Sequence, residues 1–166
     1  MKILYLIRHA KSSWSIDGVE DRDRPLKGRG IRDAHLVSKY LRNEIDSSQD
    51  FIFFSSPAIR ALHTALIFAK NIGVPSNKIY VEDHLYDCGV SELIDLVRRT
   101  SSIHKTAFYF AHNPAITNFV NEMTNISVRN VPTTGVVCIS FDCNYWNSIN
   151  KGGEVIQFDY PKRLKK

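Results

Sequence analysis

Short apolar runs alternate along this chain with longer stretches of helical period, and that alternation limits the folds open to it. Ile3 to Ile7, Phe51 to Phe54 and Thr106 to Ala111 lack the in–out rhythm of a half-solvated strand, so they predict strands covered on both faces, and Lys78 to Val81 is a candidate third strand. Between them, Ile31, Ala34, Val37, Leu41 and Ile45 predict one amphipathic helix to about Glu44. Ala58, Leu62, Ala65, Leu66, Ala69 and Ile72, stopped by Gly73, predict a second. Leu93, Ile94, Leu96 and Val97 predict a third with Ser91 as its cap, and Ile116, Phe119, Val120 and Met123 a fourth. Strands alternating with helices pair in parallel, so the expected fold is α/β, a three-layer α/β/α sandwich with a mainly parallel central sheet. Val136 to Phe141 and Glu154 to Phe158, around Gly152-Gly153, predict an antiparallel pair at one edge. Residues 1–166 are expected to form one domain, since no repeat or linker divides them.

Composition narrows the class of function. With 43% hydrophobic and 23% charged residues the chain reads as an ordinary globular protein. No apolar run approaches the length of a membrane span or a signal-peptide core, so a cytoplasmic location away from membranes is expected. Cys88, Cys138 and Cys143 are odd in number and form no C-x-x-C pair, which predicts reduced thiols and no zinc site. The net charge of +5 owes four cations to the tail Lys162-Arg163-Leu164-Lys165-Lys166, expected to be a solvated end. No aromatic–basic module points to nucleic acid.

The chemistry gathers at the predicted strand ends. Arg8-His9 follows the first strand, Ser55-Ser56-Pro57 the second, where it predicts a helix cap and a first-turn proline, and His112-Asn113 the fourth. Parallel strands place their C-terminal ends along one sheet edge, so groups far apart in sequence can share one cleft. Arg60 falls in the first turn of the second helix, where a cation is unfavourable unless it is splayed into solvent or an anion needs it. Two arginines, two histidines and two helix N-termini suit a dianion, and phosphoryl is the natural candidate.

Five collinear stretches carry a resemblance. They are Leu6-Ile7-Arg8-His9-Ala10-Lys11-Ser12-Ser13-Trp14, Asp23 to Gly30 with its Arg24-Pro25-Leu26 centre, Ser55 to Ala65, Ala111-His112-Asn113-Pro114, and Pro132-Thr133-Thr134-Gly135-Val136. On these the chain resembles the histidine phosphatase (phosphoglycerate mutase-like) superfamily, and most of all its small SixA-type phosphohistidine phosphatase branch. The resemblance implies that His9 is the nucleophile that takes the phosphoryl group, that Arg8, Arg60 and His112 bind and stabilise it, and that no metal or other cofactor is required. The residues fit such chemistry: an imidazole, which ordinarily titrates near ~6.5, is a competent neutral nucleophile at pH 7 once its tautomer is set. Cations around the transferring group supply most of the catalysis.

The chain departs from the family pattern in two places. Ser15 stands where many relatives carry Asn, and it is expected either to donate to phosphate beside Arg8, Arg60 and Asn113 or to be plain loop. The general acid of many relatives, usually Glu, is best matched by Asp87 in Leu85-Tyr86-Asp87, with Glu92 as a rival and a solvated loop acid as the alternative. His63, three residues after Arg60, either approaches the cleft or lies on the helix surface. With no inserted cap, an uncovered cleft suits a phosphohistidine on a partner protein better than a metabolite that must be enclosed. A small-molecule phosphomonoesterase and a non-catalytic phosphate-binding module are the other readings.

Overall fold

A computed structural model describes residues 1–165, and in it each residue of the opening run finds apolar cover. Strand β1 (Lys2–Arg8) sends alternate side chains to opposite faces. Leu4 and Leu6 enter a cluster with Leu93, Val97, Phe119 and Val120, whereas Tyr5 and Ile7 enter one with Ala34, Val37, Leu41 and Phe68. The first cluster is roofed by α3 (Val90–Arg98) and α4 (Ala115–Met123), the second by α1 (Gly28–Glu44) and α2 (Ile59–Ile72). Two apolar faces are why the run carries no polar alternation.

The sheet also contains β2 (Phe51–Ser55), β3 (Ile79–Val81), β4 (Thr106–Ala111), β5 (Val136–Phe141) and β6 (Glu154–Asp159), in the order β3-β2-β4-β1-β5-β6. The first four in that order are parallel, and β5 runs antiparallel to both β1 and β6, which gives the expected antiparallel edge. Register levels the strand ends: Arg8 lies opposite Ala111, and Ser55 opposite Phe110. Tyr5 and Phe53 both stack on Phe108, with ring centroids 4.3 and 4.6 Å apart, which ties the three central strands together by ~0.5–1.5 kcal/mol per pair.

Four local expectations are corrected. Helix α2 starts at Ile59 with Ala58 as its N-cap, so Pro57 precedes the first turn; Ser56 Oγ does accept from the Ala58 N–H, at 3.2 Å. Ser91 lies inside α3, which is capped at Gly89, whose N–H donates to the Glu92 carboxylate at 3.2 Å. Helix α1 begins at Gly28 and takes in the glycines assigned to the preceding loop. Gly30 is needed there because a Cβ would lie 2.1 Å from the Lys11 carbonyl oxygen. The tail is only partly solvated: Pro161–Leu164 forms the short helix α5, Leu164 packs on the core, and Lys165 pairs with buried Asp33 at 2.7 Å. Lys166 lies outside the described residues. Gly73 ends α2 as expected, in the left-handed conformation at φ 92°. Among the described residues no helix is long and apolar enough to cross a membrane.

Candidate active site

Where β1 ends, the chain is turned by its neighbours rather than by a glycine. The Thr134 N–H donates to the carbonyls of both Arg8 and His9 at 3.1 Å, and the His9 N–H donates to the Ala111 carbonyl at 3.2 Å. The buried Ala10 N–H donates to Thr64 Oγ1 at 3.0 Å, and that hydroxyl donates to the Arg60 carbonyl at 2.6 Å. Ala10 so held places its carbonyl 2.8 Å from His9 Nδ1. A carbonyl can only accept, so Nδ1 carries the proton and Nε2 keeps its lone pair.

Around that ring stand the other strand-tip groups. His112 lies with its ring centroid 5.3 Å from that of His9, and its Nε2 shares a 2.8 Å hydrogen bond with Ser56 Oγ. Arg8 Nη1 donates to the Val131 carbonyl at 3.0 Å, and Arg60 donates through Nη1 and Nη2 to the carbonyl and carboxylate of Asp21, at 2.7 and 3.1 Å. Arg8 Nε, Arg60 Nε and His112 Nδ1 are buried with no partner among the described residues. Such orphans cost ~1–3 kcal/mol each, and all three belong to residues lining one cleft of about 210 Å³. A phosphoryl group would supply the missing acceptors.

Electrostatics favours the same ligand. Burial pushes His9 down to about 3 and His112 down to about 4, with Arg60 adding to the effect at His112, so both rings are neutral at pH 7. Asp21 is held down at about 2, first by the Tyr86 hydroxyl at 2.7 Å and then by Arg24 and Arg60. The cleft thus presents guanidinium charge and uncharged imidazole, a combination suited to receiving an anion.

Of the residues singled out in the sequence, Arg8, His9, Arg60, His112 and Asn113 line this cleft together. The Asn113 amide is already engaged: it donates to Asn130 Oδ1 and the Val131 carbonyl and accepts from the Thr117 N–H and hydroxyl. Ser15 is exposed, with its hydroxyl 2.9 Å from that of Ser13. Asp87 is exposed at φ 58°, Glu92 caps α3, and His63 is half-buried on α2; none of these four lines the cleft. Sequence reasoning passed over Arg24, which is 8% exposed and donates to Ser12 Oγ at 2.8 Å, the Ser13 carbonyl at 3.2 Å and Asp21 at 3.0 Å. It also passed over Trp14, Asp21, Tyr86 and Thr64, whose roles depend on contacts across the fold.

Known proteins share this architecture. The chain is 26% identical over 167 residues to an uncharacterised protein of Mycobacterium tuberculosis, a match covering 94% of this chain and 100% of the relative. A structure of the protein histidine phosphatase SixA complexed with tungstate has the same fold, with TM-score 0.81 and 19% identity over 98% of this chain and 99% of that one. Phosphoserine phosphatase of Entamoeba histolytica, solved with phosphoserine, shares it at TM-score 0.66 and 17% identity, over 99% of this chain and 100% of that one. The family model of the histidine phosphatase superfamily (branch 1) matches residues 4–102, which hold Arg8, His9, Arg24 and Arg60 but stop short of His112. That match spans more than half of the chain, and the chain belongs to the histidine phosphatase superfamily as a histidine-dependent phosphatase.

Proposed function

We propose that this phosphatase removes the phosphoryl group from phosphohistidine on a partner protein, passing it through His9. In the first step the His9 Nε2 lone pair attacks phosphorus as the bond to the substrate imidazole breaks. The electron pair leaves with that nitrogen, which takes a proton from solvent. Water then attacks the His9 phosphoramidate, the P–Nε2 bond breaks, and inorganic phosphate departs with the water oxygen. Arg8 and Arg60 balance charge on the equatorial oxygens throughout, and His112 donates to them through Nδ1 while its Nε2 accepts from the Ser56 hydroxyl. The route calls for no metal, so chelators are expected to leave turnover intact.

One observation carries the choice of substrate. Among the described residues lining the cleft none is Asp or Glu, and the adjoining carboxylate, Asp21, is held ionised by three donors. An alkoxide leaving group needs a proton from a positioned acid, whereas imidazole leaves without one. The likeness to SixA, a protein histidine phosphatase, supports the same reading. The test is a comparison of kcat/KM for a phosphohistidine protein and phosphoramidate against an unactivated alkyl phosphate. Preference for the P–N substrates is expected. Equal or better turnover of the alkyl phosphate would overturn the reading in favour of a small-molecule phosphomonoesterase.

A further inference from the structure

Trp14 lines the cleft beside His9, Arg60 and His112, yet it is 76% exposed. Single exposed apolar side chains are ordinary, but among the large exposed hydrophobics of the described residues Trp14 is the one that lines this cleft. One face of the indole is occupied by the Arg24 guanidinium, 3.4 Å from the ring centroid. Arg24 is itself immobilised by Ser12, Ser13 and Asp21, and the Trp14 segment is tied down by a bridge between Ser12 and Leu26 and by the Ser13 N–H on the Pro25 carbonyl at 2.9 Å. The indole is thus a braced plate with a cation behind it and its other face open.

In-line transfer to His9 puts the departing atom on the side of phosphorus away from Nε2, and Trp14 lines the same cleft as His9. We infer that the open face of Trp14 is the platform for a planar leaving group, stacking the imidazole of the substrate as it departs. This rests on the phosphohistidine reading for the identity of the ring, but not for the stacking itself. The Arg24 cation withdraws electron density from the indole, which suits offset stacking against a neutral heterocycle. A ringless leaving group gains nothing from the plate, so Trp14 is a specificity-determining residue.

The test is a ratio of ratios. The kcat/KM of a ring-bearing substrate is divided by that of a ringless one, with phosphohistidine over phosphoramidate for P–N bonds and p-nitrophenyl phosphate over ethyl phosphate for P–O bonds. Removing the indole also uncovers Arg24 and so lowers both members of a pair, and the ratio cancels that loss. Trp14→Ala and Trp14→Leu are expected to lower the ratio by about 2- to 10-fold, the worth of one aromatic pair, and Trp14→Phe to restore most of it. An unchanged ratio in Trp14→Ala, for whichever pair the wild type turns over, would overturn the platform while leaving the phosphohistidine reading standing. A wild type active only on P–O substrates would overturn that reading, and the aryl and alkyl pair would then decide Trp14 alone.

Discussion

Thr64→Val isolates how the cleft positions His9 without altering any group that touches substrate. Valine matches threonine in shape but offers no acceptor, so the buried Ala10 N–H loses its 3.0 Å hydrogen bond and the Arg60 carbonyl loses a 2.6 Å donor. Thr64 and Ala10 are both 0% exposed, so water cannot take over the bond. An orphaned buried donor costs ~1–3 kcal/mol and the new methyl returns up to ~0.8 kcal/mol, leaving a net loss of about 1–2 kcal/mol. For a chain of this size that is a fall in Tm of about 2–8 °C. The Ala10 carbonyl that sets the His9 tautomer loses its anchor as well, and kcat is expected to drop on the order of tenfold, equivalent to ~1.4 kcal/mol in the barrier. Thermal melts and p-nitrophenyl phosphate turnover of Thr64→Val and Thr64→Ser measure both effects, with serine keeping the hydroxyl and most of the activity. A valine variant that melts and turns over like the wild type would refute the chain of positioning from α2 through Ala10 to His9.

Three further outcomes follow from the same geometry. NMR titration should find the His9 and His112 rings neutral down to about pH 5, since burial lowers them to about 3 and 4; midpoints near ~6.5 would contradict their desolvation. The unfolded chain takes up protons on these rings below pH ~6.5 while the folded one does not, so denaturant midpoints should fall as pH drops from there toward about 4. Gly30→Ala should cost about 1–3 kcal/mol in urea unfolding, because its Cβ meets the Lys11 backbone at 2.1 Å; a neutral effect would mean that the loop behind His9 yields freely.

The layers of the fold were legible because burial on both faces leaves a compositional trace: Phe51 to Phe54 and Thr106 to Ala111 admit few polar residues, and the helices keep one apolar side. Arg8, His9, Arg60 and His112 were legible because parallel strands align their ends. Residues 12 to 27 were not, because nothing periodic marks them. Their order comes from a bridge at Ser12 and Leu26 and a short turn at Asp21–Asp23, so Arg24 resembles a solvated cation although it is buried. The local sequence of Ser56 marks it as a cap, yet its hydroxyl also bonds His112, 56 residues away. The same limit applies to the acids: Leu85-Tyr86-Asp87 drew attention to Asp87, while its neighbour Tyr86 is the residue that reaches the site, through Asp21. Glu92 could have been read as a cap from its spacing to Gly89, a local signal that competes with a catalytic one.

The central claim is that His9 Nε2 becomes covalently phosphorylated during turnover. Rapid acid-free quenching of wild-type protein with phosphoramidate, followed by ³¹P NMR and peptide mapping, should show an acid-labile, alkali-stable phosphoramidate on His9 that forms and decays at rates compatible with kcat. In His9→Ala both the intermediate and turnover should vanish. Turnover without any phosphoenzyme, or a His9→Ala variant that still hydrolyses substrate at the wild-type rate, would contradict the account.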